Sequence, residues 1–135
     1  MTETAELVAK IPMCAELTDD EVRWIADLAT EFTVATGFVL IEHGQPGSGM
    51  FIITEGRISI ELPRGPIERG PGEFVGELAL LADGFTRVAR VRAKTAVRGL
   101  AISRMAFFEL LQREPRVAVR MLPVLARRLA EAESI

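Results

Sequence analysis

A mainly β fold flanked by α-helices is what this sequence predicts, and three observations predict it. Between residues 31 and 103 apolar residues recur with period two in short runs. Gly- and Pro-rich clusters separate those runs, and helical periodicity appears at both ends of the chain. Many short strands punctuated by glycine read as a sandwich, a barrel or a jelly roll. The chain has 135 residues, 49% hydrophobic and 26% charged, which suits one domain with a real core and excludes a disordered or fibrous chain.

The N-terminal helices, residues 1–30, come first. Leu7, Val8, Ile11 and Met13 recur at helical spacing, and Pro12 closes that first piece. Thr18-Asp19-Asp20-Glu21 is a capping box, in which Thr18 bonds the N–H of Glu21 while Glu21 reaches back. The helix it starts carries Val22, Ile25, Ala26, Leu28 and Ala29 on one face, a structural stripe.

The strand-like runs follow at 31–35, 38–42, 50–54 and 57–62, with a last one at 97–103. Turn signals stand between them: Gly37, the segment from His43 to Gly49, Glu55-Gly56, and Pro63-Arg64-Gly65-Pro66. The glycines at 44, 47 and 49 do not make a phosphate loop, because the Lys-Ser/Thr ending and the following helix are missing. His43 reads as a turn residue, since no nucleophile or second ligand accompanies it.

The C-terminal helices occupy 104–135. Ser103 caps the first, 104–112, which is expected to bury Phe107, Phe108, Leu110 and Leu111. Pro115 suits the first turn of a second helix carrying Val117, Met121, Val124, Leu125 and Leu129 inward, with Arg127-Arg128 on its outer side. Pro123 lies inside that helix and removes one backbone bond, as a hinge or as a bend around the strands.

Residues 74–93 carry the chemistry. They read Phe-Val-Gly-Glu-Leu-Ala-Leu-Leu-Ala-Asp-Gly-Phe-Thr-Arg-Val-Ala-Arg-Val-Arg-Ala. Gly76 permits close backbone approach to a ligand, and the free N–H groups of the turn from Glu77 to Leu81 can face an anion. Arg87 can hold that anion with a two-pronged bond. Strand alternation sets Arg87 with Ala89, Val91 and Ala93, opposite Arg90 and Arg92, and a charge on an apolar face is costly unless paired. Glu77 repels a phosphate and so suits a hydroxyl; a ligand with one phosphate and one free ribose hydroxyl fits both groups.

This segment closely resembles the phosphate-binding cassette of cyclic nucleotide-binding domains, the catabolite activator and protein kinase A regulatory subunit family. Phe74, Gly76, Glu77, Leu78, Ala79, Leu80, Arg87, Ala89, Val91 and Ala93 match, with one extra residue between Phe74 and Gly76. The run from Val39 to Gly44 and that from Met50 to Ile58 resemble the same family, so the likeness covers nearly the whole chain as a single domain, 1–135. The insertion and the run from Val91 to Ala96 are most similar to the bacterial catabolite-activator branch.

The resemblance implies a β jelly-roll barrel, 31–103, between the two helical ends. It implies that Arg87, with backbone amides of Gly76, Leu78, Ala79, Val88 and Ala89, binds the cyclic phosphate. Glu77 would take the ribose 2′-hydroxyl, Ile60 and Ile67 would line an apolar site for the base, and Phe74 belongs to the same ligand-binding set. The ligand implied is cyclic AMP, with the C-terminal helices moving in response. Thr86 stands where many members have proline, and Val88 where they have Ser, Thr or Ala. Val88 offers only its backbone N–H, which argues against cyclic GMP and lowers the expected affinity. Ala132 and Glu133 replace the hydroxyl residues that contact adenine in the activator branch.

Several functions are excluded. No catalytic constellation is present, so the chain is expected to be a binding module and not an enzyme. One cysteine, Cys14, and one histidine give no disulfide and no metal site. A net charge of −3 gives no general attraction to nucleic acid, so DNA binding by this chain is not expected. The acidic start is no signal peptide and no run approaches the ~20 apolar residues of a membrane span, so a soluble, cytoplasmic chain is expected. The expected partners are a cyclic nucleotide, an effector protein or domain, and a second copy through the C-terminal helix. The alternatives are the sensor part of a transcription regulator without its DNA-binding domain, and a ligand-free domain serving in protein interaction.

Overall fold

The computed structural model describes residues 2–44, 49–81 and 89–133. Helix α1 (Glu3–Ala9) is capped by the Thr2 hydroxyl, and a 3-10 turn (Pro12–Cys14) follows at Pro12. Helix α2 (Asp19–Leu28) starts on the expected capping box. The Thr18 N–H donates to Glu21 Oε1 at 2.8 Å and the Glu21 N–H to Thr18 Oγ1 at 3.3 Å.

Eight strands are described: β1 (Thr30–Val34), β2 (Val39–Ile41), β3 (Gly49–Glu55), β4 (Ile58–Glu61), β5 (Ile67–Arg69), β6 (Phe74–Val75), β7 (Arg90–Ala93) and β8 (Val97–Ser103). A short helix, α3 (Leu78–Leu81), follows β6; α4 (Arg104–Arg113) and α5 (Pro115–Glu133) close the chain. The strands form two antiparallel sheets, ordered β1-β8-β3-β6 and β2-β7-β4-β5, the two halves of a jelly roll. Strands β5 and β6 were not among the sequence-predicted runs, because two or three residues carry too little alternation.

Two apolar cores hold the layers. Ile41, Ile53, Ile58, Val75, Val91, Ala93 and Val97 fill the space between the sheets. A larger core joins the helices to the first sheet through Val8, Ile25, Ile52, Leu100, Phe107, Leu110, Val117 and Met121. Each such side chain contributes about 1.5–3 kcal/mol when fully buried. Cys14 packs in this second core, where burial pushes its thiol up to about 11, as expected of a small apolar residue. Strand β6 joins the cores: Phe74 faces the helical one and Val75 the inter-sheet one.

Alternation on β7 is as expected. Val91 and Ala93 are buried, while Arg90 and Arg92 face outward and pair with Glu42 and Glu61. The C-terminal helices bring two corrections. Phe108 is exposed beneath the Arg104 guanidinium, 5.5 Å from its ring centre, whereas Phe107 and Leu110 are buried. On α5, Leu129 points to solvent and Arg128 points inward, the reverse of the expectation. Helix α5 continues through Pro123.

Candidate functional site

The turn between β6 and α3 is built on Gly76, whose φ of 92° lies in the left-handed region that a side chain resists. That turn reverses the chain so that Glu77 starts the helical turn: its carbonyl accepts from the N–H groups of Leu80 at 3.0 Å and Leu81 at 2.9 Å. Leu78 and Ala79 lie in this turn.

Glu77 is one of two buried charged residues among those described. Its carboxylate receives a 2.8 Å bond from Arg128 Nη1 on α5, a pair with only 10% and 18% of their side chains exposed. The other prong, Nη2, donates to the Phe74 carbonyl at 2.7 Å, and the guanidinium sits 4.5 Å from the Phe74 ring centre. A single arginine therefore ties the last helix to the cassette by an ion pair, a hydrogen bond and a cation–π contact.

Arg128, which holds the carboxylate of the candidate site, is the residue there that sequence reasoning missed. The signal was available: Val117, Met121, Val124 and Arg128 are spaced 4, 3 and 4 residues apart, which puts Arg128 on the inward stripe.

The other expected site residues divide into three groups. Phe74 and Ala89 are buried. Ile60 and Ile67 are half-buried and stand directly opposite each other on β4 and β5, with Val91 on the other side of Ile60, so the three share the inward face of the second sheet. Arg87 and Val88 lie outside the described residues. Among the described residues, no group of three or more His, Cys, Asp or Glu gathers as metal ligands would.

Residues 31–114 match the sequence profile of the family described as cyclic nucleotide-binding domain. The chain belongs to that family. It is 36% identical over 113 residues to a cyclic nucleotide-gated potassium channel of Mesorhizobium japonicum, covering 84% of this chain and 31% of the channel. It is 30% identical over 121 residues to the cAMP-activated global transcriptional regulator of Salmonella typhimurium, covering 83% of this chain and 56% of the regulator. The chain thus spans from about a third to about half of these relatives. Among solved structures, a cyclic nucleotide-binding domain from Methylobacillus flagellatus superimposes with a TM-score of 0.78 at 26% identity, covering 98% of this chain and 79% of that one. These relatives are regulatory proteins and channels, and no helix among the described residues is long and apolar enough to cross a membrane.

Proposed function

We propose that this domain senses a cyclic purine nucleotide and relays its binding to α5 through the Glu77–Arg128 pair. Cyclic AMP is the ligand that the resemblance implies. In this reading Arg87 and the backbone amides around Gly76, Leu78, Ala79, Val88 and Ala89 hold the cyclic phosphate. Glu77 accepts the ribose 2′-hydroxyl, and Ile60 and Ile67 face the base, while Phe74 packs in the helical core under Arg128. The output belongs to an effector, and a ligand moves α5 only as far as it binds one helix position better than another.

One observation carries the reading. The carboxylate assigned to the ribose is the same group that α5 grips, 2.8 Å from Arg128. A hydroxyl donating to Glu77 shares the carboxylate that Arg128 holds and so changes the hydrogen-bond balance of that grip, and ligand and helix report to one residue. The test is calorimetric titration of the chain with cyclic AMP, beside Glu77→Ala and Arg87→Ala. Saturable binding that weakens at least about tenfold in each variant supports the sensor, a loss in the range of one charge-assisted bond. No heat from folded protein with any cyclic nucleotide sinks it.

A homodimer through α5 has its own support. Val119, Leu122 and Leu129 are 64%, 61% and 58% exposed, and with Ala126 they follow the 3–4 spacing of a helix–helix seam. Sedimentation equilibrium with and without Leu122→Lys tests it: a dimer that the lysine dissociates is expected, and a monomer at all concentrations overturns it.

A further inference from the structure

Among the described strands, one sheet border differs from the rest. Strands β2 and β5 have three residues each and β6 has two, whereas β1 runs through five, Thr30-Glu31-Phe32-Thr33-Val34. Apart from Glu31 these are β-branched or aromatic, with no proline or glycine to interrupt pairing. The inner side of β1 is zipped to β8 along its whole length, from Thr30 opposite Ala101 to Val34 opposite Val97. No other described strand pairs with its outer side. In an antiparallel pair alternate N–H and C=O groups point away from the partner, so β1 turns a row of them outward. Thr30, Glu31 and Thr33 are exposed, and this border meets solvent.

The chemistry beside the open edge is acidic. Alternation puts Glu31 and Thr33 on one face of β1, and Arg98, opposite Thr33 in the ladder, shares that face. The Arg98 guanidinium meets three carboxylates: Glu31 at 2.9 Å, Glu55 at 3.9 Å, and Glu3. One cation against three anions leaves negative charge in excess, and Glu3 and Glu55 are 70% and 67% exposed. Glu31 itself is turned back onto Arg98 and the Thr4 hydroxyl, 3.0 Å away, so its charge does not guard the edge. Phe32 faces the other way and meets the Phe51 ring edge-on at 5.5 Å beside the inter-sheet core. A groove of about 370 Å³ is lined by Glu31, Phe32, Thr33 and Arg98. Because it touches three successive residues, it follows the strand and not one face of it.

We infer that β1 is a docking edge for an extended, lysine- or arginine-bearing segment of a partner protein, which adds a fifth strand to the first sheet. Main-chain bonds to the outer side of β1 hold the segment. Its alternate side chains share one face, so basic residues at every second position reach the carboxylates around Arg98. The net charge of the chain, −3, draws a basic partner in the same direction. None of these residues belongs to the cassette, so the inference stands independently of any nucleotide.

The experiment titrates the isotope-labelled, unaltered chain with a short capped peptide of alternating valine and lysine, and follows the backbone amide signals of 30–34 by NMR. Saturable shifts centred on β1 are expected. The same peptide N-methylated throughout keeps its side chains but has no N–H to pair, and should bind at least about tenfold more weakly. A peptide with glutamate in place of lysine should bind about threefold or more weakly, in the range of exposed ion pairs, and Glu31→Gln should narrow that difference. The peptide comparisons need no variant, so they stand even if a substitution disturbs the fold. If the lysine peptide leaves β1 unmoved up to about 1 mM, or the N-methylated one binds equally well, the edge is no docking site and the inference falls. Equal binding of the lysine and glutamate peptides overturns the basic partner. Shifts at β1 on concentrating the protein alone would make a second copy the occupant and overturn it likewise.

Discussion

The two ends of α5 are anchored by the same chemistry in different surroundings. Near its start, Arg116 pairs with Glu21 and Glu114, Arg120 pairs with Glu16, and Val117 and Met121 sink fully into the helical core. Near its end, Val124 and Leu125 are half-buried, Leu129 is exposed, and Arg128 alone reaches inward to the cassette. In the first set the arginines stand at the surface, Glu16 is exposed and Glu114 is buried, so the pairs are partly solvated and the packing of Val117 and Met121 does most of the holding. The second pair is shielded, and apolar packing there is thin. The helix is therefore rooted by burial and latched by charge.

The largest test of that contrast is Arg128→Ala. It strands the Glu77 carboxylate and is expected to lower stability by about 2 kcal/mol, between the exposed and fully buried limits for broken pairs. In a double-mutant cycle with Glu77→Ala, measured by urea unfolding, the two losses should fall well short of additivity. Additive losses would mean that the tip is held by something other than this pair.

A smaller effect probes the root through pH. Glu114 is buried beside the Glu21 carboxylate, and that burial first, then the neighbouring acid, holds it above its ordinary 4.5. Its proton is thus held more tightly in the fold, giving stability that is complete below pH 4.5 and fades as pH rises through the raised value. Glu21 behaves oppositely. The Thr18 N–H above all, and then Glu114, bring it down to about 2, so its contribution is present above 4.5 and lost as pH falls toward 2. Glu114→Gln removes the ionisation but keeps a neutral amide. It should match the parent at pH 4 and gain on it as pH rises to 7, followed by thermal melting across that range. Parallel curves would remove Glu114 from the balance at the root.

Much of this organisation was legible in the sequence, and the failures have physical causes. The capping residues Thr18 and Ser103 and the strand at 97–103 announced themselves through local hydrogen-bond chemistry and clean alternation. Strands β5 and β6 did not, because they exist through pairing with β4 and β3 and not through their own period. In the site, the cassette residues stood out by type and spacing. Arg128 was hidden by the adjacent Arg127: two neighbouring charges read as one outward patch, although successive helical positions are about 100° apart and only Arg128 continues the stripe of Val117, Met121 and Val124.

The rims of the two sheets have a further consequence. Among the described strands, the second sheet is bounded by β2 and β5, three residues each, and the first by β1, five residues, and by the two residues of β6. Proline 66 and Gly70 flank β5, and its outer side carries the charged trio Arg57, Glu68 and Lys94. Apart from β1, these short borders give a neighbouring chain almost no row of open backbone groups to zip onto. At those three borders the domain is guarded against edge-to-edge aggregation.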